Sequence, residues 1–274
     1  MEQEKERPLA VVLLSGGMDS AVAASMTATD RRLACLHATY GQRTANRERV
    51  SFGALAHFFK AAEKQVVHLS HLGRHGRSSL TDHAIDLPEP DLQAAAVPSS
   101  YVPFRNAHLL AMAVSWAEIL GADEIVIGAV EEDSSGYPDC SAAFYKAFQE
   151  AVQLGTRPET RIRLVTPVIG MSKADIVRRG QELGTPFNLT WSCYRDEDLA
   201  CGRCDSCALR LRGFAGAGAV DPLRYADAPQ AADAVGAQPA AAAVTEPAAA
   251  GAAAASRRRQ VAALSAFLQR VRQA

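Results

Sequence analysis

The chain has 274 residues, 48% of them apolar, and a net charge of −1. That length and apolar content suffice for one large core or two small ones, while the near-zero charge excludes a global field drawing in nucleic acid or an anionic membrane. The first seven residues mix acids and bases (Glu2, Glu4, Lys5, Glu6, Arg7) ahead of a short apolar run, which argues against a secretory leader, and no stretch reaches the roughly 20 apolar residues of a membrane span. The expectation is a soluble, cytoplasmic globular protein without direct nucleic-acid binding.

Residues 9–14, Leu-Ala-Val-Val-Leu-Leu, read as a strand buried on both faces. They run into Ser15-Gly16-Gly17-Met18-Asp19-Ser20, and residues 21–28, strong helix formers without a breaker, read as a helix. A loop between a strand and a helix N-terminus presents unpaired N–H groups and the positive end of the helix dipole, and two glycines remove side chains that would hold an anion away. This is a phosphate cradle. It lacks the Lys-Ser or Lys-Thr of a Walker loop and the third glycine of a dinucleotide fold; a plain glycine turn with Asp19 or Ser20 as N-cap would use similar residue types.

Residues 32–40 read as a second strand, and 46–59 as an amphipathic helix with Val50, Leu55, Phe58 and Phe59 inward. A third strand over 65–69 precedes a Ser-, Asp- and Pro-rich loop at about 74–100, a length typical of a lid or substrate loop. Then come a helix at 105–120, a buried strand at 124–128, a helix at 142–154, an extended stretch at 161–166 and a helix at 173–183 capped by Ser172. Repeated strand–helix units predict an α/β fold: a Rossmann-like parallel sheet with helices on both faces and ligands at the carboxyl ends of the strands. After residue 225 the composition shifts. Residues 226–255, rich in Ala and broken by Pro229, Pro239 and Pro247, read as a disordered linker. Residues 256–274 read as a basic amphipathic helix, with Val261, Leu264, Phe267, Leu268 and Val271 on one face. Such a helix could dock on its own domain, stay solvated, or meet an acidic partner, RNA or a membrane surface.

Cys193, Cys201, Cys204 and Cys207 form C-x7-C-x2-C-x2-C, with Gly202 allowing a tight turn. In a large chain without an export signal this reads as a metal site within segment 190–210 rather than as disulfides. Four thiolates and no obvious open position fit a structural Zn2+; iron–sulfur ligation is the competing reading. Cys140, in the turn Ser135-Gly136-Tyr137-Pro138-Asp139-Cys140, has no base supplied by the sequence and reads as pocket-lining rather than as a nucleophile. The seven histidines read as surface or structural residues.

The Ser15–Ser20 string resembles the pyrophosphate loop of the ATP pyrophosphatases, which split ATP into AMP and pyrophosphate while adenylating an oxygen. Further blocks follow in order: Tyr40-Gly41-Gln42-Arg43 with Glu48, Tyr101-Val102-Pro103-Phe104-Arg105-Asn106, the 135–140 turn, Thr190-Trp191-Ser192-Cys193-Tyr194, and Cys201-Gly202-Arg203-Cys204-Asp205-Ser206-Cys207. Together, over residues 8–225, they resemble the 7-cyano-7-deazaguanine synthase family. The resemblance implies an adenine-nucleotide alpha-hydrolase fold, a small zinc-binding segment and a catalytic domain over 8–225. It also implies a two-stage reaction: ATP adenylates 7-carboxy-7-deazaguanine, ammonia displaces AMP to leave an amide, and a second ATP activates the amide oxygen so that loss of AMP yields the nitrile.

On that resemblance Leu14, Ser15, Gly16, Gly17, Met18, Asp19, Ser20, Ala21 and Val22 contact ATP, with Asp19 the partner of Mg2+. Asp19, Ser20, Arg105 and Asp133 are the expected catalytic residues, and Arg43, Arg105, Asn106, Tyr137 and Asp139 the expected substrate contacts; Arg43 could equally serve a subunit contact, and Arg43 or Arg105 a structural ion pair. A homodimer is the expected assembly. Thr44, Ser134 and Ser141 depart from the family pattern near the presumed pocket. An amide ligase that stops after the first stage, acting on a protein or other amine, is the enzymatic alternative; a zinc-stabilised nucleotide- or RNA-associated module without turnover is the non-enzymatic one.

Overall fold

Side chains alternate along the first strand, β1 (Leu9–Leu13), so Val11 and Leu13 go to one face and Ala10 and Val12 to the other, and all four are buried. Burial on both faces accounts for the unbroken apolar run. The computed structural model describes residues 7–88, 96–131 and 136–226. The expected linker from 227 onward, the helix at 256–274, and Asp133 and Ser134 lie outside the described residues.

Strands β1, β2 (Arg32–Thr39), β3 (Glu63–His68), β4 (Glu124–Ile127) and β5 (Arg163–Val165) form one parallel sheet in the order β3-β2-β1-β4-β5. Helices α1 (Met18–Thr27), α2 (Ala45–Phe58), α3 (Ser70–Arg74), α4 (Arg105–Leu120), α5 (Ala142–Gly155), α6 (Lys173–Glu182) and α7 (Asp205–Gly216) complete the elements, with 3-10 turns at Pro138–Cys140 and Phe187–Leu189. On one face Val11, Leu13, Leu36 and Ile125 pack with Leu110, Ala113 and Ala117 of α4 and Val152 of α5. On the other, Ala10, Val12, Cys35 and Val126 pack with Ala21 and Ala24 of α1 and Phe52, Leu55 and Ala56 of α2. The expected helices-on-both-faces architecture is therefore present. Among the described residues no helix is long and apolar enough to cross a membrane.

Two expectations need correction. Helix α1 starts at Met18, not at residue 21, because extended Gly17 is its N-cap and no side chain caps it. In α2 the inward face is Phe52, Leu55 and Ala56 with Phe59 beyond its end; Val50 and Phe58 are 60% and 48% exposed. Val50 sits two residues from Phe52, some 200° around the helix, so the two cannot share a face.

The chain leaves β1 toward β2 and β3, then returns to place β4 on the other flank of β1. That reversal makes a switch point between β1 and β4, where the loops after the two strands diverge and leave a crevice. Gly128, just past β4, closes it from one side: a Cβ there would fall 2.7 Å from the Ser20 backbone nitrogen, so only glycine lets α1 approach the β4 end.

Candidate active site

A cavity of about 270 Å³ opens at the carboxyl ends of β1 and β4, near the lower end of the roughly 300–1,000 Å³ of small-molecule sites. Ser15, Gly17, Met18, Asp19 and Ser20 line one side; Tyr40, Arg105, Tyr137, Cys140 and Tyr194 line another, with Glu48, Lys173, Trp191, Asp205 and Arg210 between them.

The glycine loop is held from within. Gly16 turns through φ +95, and a Cβ on it would come 2.7 Å from the Glu48 carbonyl oxygen, so the loop packs directly on α2. Ser15 Oγ accepts the Gly17 N–H at 3.2 Å, and Ser20 Oγ donates to the Gly17 carbonyl at 3.0 Å. With Gly17 as an uncapped N-cap, the first-turn N–H groups of α1 remain for a ligand. Leu14, Ala21 and Val22 are fully buried and set the position of the loop, and Val22 joins the apolar cluster with Ile176 and Phe187. Asp19 Oδ2 accepts from Lys173 Nζ at 2.8 Å, while Asp19 Oδ1 is buried without a hydrogen-bond partner. An orphaned carboxylate oxygen beside a phosphate cradle is what a divalent cation would satisfy, so these residues fit magnesium.

Arg105, the first residue of α4, brings its guanidinium into the cavity. It donates to Tyr40 Oη at 3.1 Å and lies 5.5 and 6.0 Å from the ring centres of Tyr40 and Tyr137, and among the described residues no carboxylate pairs with it. Phe104, which precedes it, is left-handed at φ 59, a conformation that costs a bulky residue about 1–2 kcal/mol. Burial pushes the phenols of Tyr40, Tyr137 and Tyr194 above their ordinary range, so they present neutral hydroxyls. A half-buried guanidinium beside neutral aromatics, with no carboxylate partner among the described residues, is a receptor for a carboxylate or phosphate.

Of the other expected contacts, Asn106 lines the cavity but has its donors engaged within the protein, and Asp139 does not line it. Asn106 Nδ2 donates to the Asp139 carbonyl (2.9 Å), Cys140 Sγ (3.2 Å) and Tyr145 Oη (3.3 Å), and its N–H goes to Asp139 Oδ2 (2.8 Å). Asp139 thus ties the 138–140 turn to the start of α4 rather than facing a ligand. Arg43 is spent on the long loop: it donates to the carbonyls of Ser79 (2.7 Å), Asp82 (3.0 Å) and Ile85 (2.7 Å) and is absent from the cavity lining. Tyr137 does line the cavity, its hydroxyl 2.7 Å from Ser100 Oγ of that loop. Burial raises the Cys140 thiol, which keeps it protonated and a poor nucleophile.

Cys193, Cys201, Cys204 and Cys207 are buried, and their sulfurs lie within 4.8 Å of one another. A tetrahedral ion with bonds of about 2.3 Å would hold sulfurs about 3.8 Å apart; Cys201 and Cys207 are at 3.9 Å. The N–H groups of Arg195 (3.3 Å), Asp196 (3.4 Å) and Cys201 (3.4 Å) point at Cys193 Sγ, and that of Tyr194 (3.5 Å) at Cys204 Sγ, as around metal-bound thiolates. The four could hold a metal. Sequence reasoning missed Lys173, whose only signal was a lysine opening a Ser-capped helix. It also missed Arg210, 1% exposed, which makes a two-pronged bond to Asp221 (2.7 and 2.9 Å) and reaches Thr190 Oγ1 at 2.7 Å.

Residues 9–218 match the family model described as queuosine biosynthesis protein QueC. A 7-cyano-7-deazaguanine synthase of Chlorobium luteolum is 54% identical over 225 residues, 82% of this chain and 99% of that relative. One of Chlorobaculum tepidum is 54% identical over 217 residues, 79% of this chain and 96% of its own. Among solved structures, a 4-thiouridine synthetase–RNA complex with bound ATP is 20% identical with a TM-score of 0.42, covering 65% of this chain and 41% of that one.

Proposed function

The chain belongs to the queuosine biosynthesis protein QueC family, and on that premise we propose that it makes 7-cyano-7-deazaguanine from 7-carboxy-7-deazaguanine, ammonia and two ATP. The observation that carries this assignment to particular residues is one cavity lined both by an uncapped phosphate loop and by a half-buried Arg105 that has no carboxylate partner among the described residues. Nothing in the relatives favours an amide ligase that stops halfway.

A carboxylate is a poor acyl donor because its oxygen leaves badly. Its oxygen attacks the α-phosphorus of ATP, pyrophosphate departs, and the resulting acyl phosphate leaves readily as AMP. The nitrogen lone pair of ammonia forms the C–N bond, the C–O bond breaks with its electrons on AMP, and an amide with one proton shed remains. The amide oxygen then attacks a second ATP; loss of AMP and the two N–H protons leaves the C≡N bond. Loop amides 18–20 and the Lys173 ammonium hold the phosphates as charge moves onto pyrophosphate, and Arg105 binds the substrate carboxylate. Magnesium, held by Asp19, would neutralise charge on the phosphates. The four cysteines would hold a structural Zn2+, since sulfurs this close suit a single ion rather than a cluster whose ligands bind separate irons. A cytoplasmic homodimer is part of the same reading.

The test is mass spectrometry of the product. With the acid, ammonium and ATP the expected product is the nitrile with two AMP per molecule; a product that stops at the amide, or AMP release independent of the acid, contradicts the reading.

A further inference from the structure

Glu48 lines the cavity, and neither phosphate nor carboxylate binding uses it. Its carboxylate is fixed from behind. Gln42 Nε2 donates to Oε2 at 2.9 Å and Thr44 Oγ1 donates to Oε1 at 2.9 Å. Gln42 is itself oriented, because its Oε1 accepts the Tyr40 N–H at 2.8 Å and its Nε2 also reaches the Ala38 carbonyl at 3.3 Å. Both Glu48 oxygens therefore act as acceptors, each with a further lone pair available. Among the described residues Glu48 forms no ion pair. The Glu48 carbonyl oxygen packs against Gly16, and Glu48 shares the cavity lining with Ser15 and Gly17, which sets this residue next to the phosphate loop.

The nitrogen donor is itself a small cation, since ammonia is almost wholly protonated at neutral pH, and it must lose a proton before it can attack. We propose that Glu48 binds this ammonium ion and accepts its proton; the proposal rests on the nitrile-forming reading above. One N–H bond breaks, its proton goes to the Glu48 carboxylate and its electrons remain as the nitrogen lone pair. That lone pair forms the C–N bond as the C–O bond to AMP breaks, and the second surplus proton leaves to solvent with AMP. The groups acting on Glu48 suit it to this role. Burial, the largest influence, raises its pKa and Glu197 raises it further, while its Gln42 and Thr44 bonds and Arg105 lower it. The net direction is upward, which makes this carboxylate a stronger base than a free one.

Glu48→Gln removes the charge while its volume and both side-chain bonds can be kept. The expected result is an ammonium KM raised about tenfold or more, with the KM values for ATP and the acid within about twofold of wild type. In the wild type kcat/KM for ammonium falls as pH drops through the Glu48 pKa, and this limb disappears in the variant. The deficit shrinks at alkaline pH, where free ammonia needs no base, and Glu48→Asp, which retains the charge, recovers part of the ammonium affinity. A second readout needs no turnover: ammonium chloride raises the melting temperature of the wild type above that in equal sodium chloride, and E48Q loses the difference. Three KM values rising together with a lower melting temperature would make Glu48 structural and overturn the proposal. A rise for the acid alone would make it a reader of the deazaguanine edge and overturn the proposal equally. Should the wild type form no nitrile while the ammonium-specific stabilisation still depends on Glu48, the reaction assignment fails and the cation site stands.

Discussion

Asp19 and Lys173 are 154 residues apart in the chain and 2.8 Å apart in the fold. Such a pair has no local signature, whereas the Ser-Gly-Gly-Met-Asp-Ser loop is legible because its chemistry comes from consecutive backbone groups at a strand–helix junction. The same distinction separates Arg105 from Arg43. Both look like anion binders by charge, yet Arg43 spends its donors on loop carbonyls, and only the folded chain shows that Arg105 has no carboxylate partner among the described residues. Lys173→Met should lower kcat/KM for ATP about 100-fold, the scale for losing one preorganised group that stabilises developing charge, with the fold retained by circular dichroism; an unchanged value would remove Lys173 from the phosphate site. Arg105→Met should raise the KM for the acid far more than that for ATP. Equal rises in steady-state kinetics would place Arg105 on the nucleotide instead.

At the scale of elements, the alternation of strands and helices and the two covered faces follow from patterns that the sequence displays, since β1 is apolar throughout because helices cover both of its faces; the order β3-β2-β1-β4-β5 had no such signal. The error in α2 arose because Val50 and Phe58 are apolar in type, although Val50 lies some 200° around the helix from Phe52 and Phe58, the last residue of the helix, is 48% exposed. The cysteine segment was legible from spacing alone, but not its part in shaping the cavity. Cys193 lies between Trp191 and Tyr194, Cys204 N-caps α7, and Asp205, Ser206 and Arg210 of α7 line the cavity. Removing the metal should therefore disturb the active site as well as the knuckle. Metal binding of this type contributes on the order of 10 kcal/mol to local folding, and Trp191 is 3% exposed beside the four sulfurs. Chelation should then shift tryptophan emission to the red and abolish acid binding by calorimetry, while the far-ultraviolet signal of the sheet and its helices largely remains. Emission and binding that both survive complete removal of the metal would separate the knuckle from the site.

For the whole molecule, a single reversal of strand order places the phosphate loop of β1 against Gly128 after β4 and opens the crevice in which we place both stages of the proposed reaction. The family blocks made this architecture readable over 8–225, whereas the composition beyond 226 pointed to several partners and singled out none. One shared cavity means that both activations pass through the same loop, and each must carry one substrate oxygen away on AMP. The most direct measurement uses acid labelled with oxygen-18 at both carboxyl oxygens, with AMP, pyrophosphate and nitrile analysed by mass spectrometry. Two adenylations at this loop predict two AMP per nitrile, each with one heavy oxygen, and unlabelled pyrophosphate. Label in pyrophosphate or in free phosphate, or AMP without it, would contradict adenylation there.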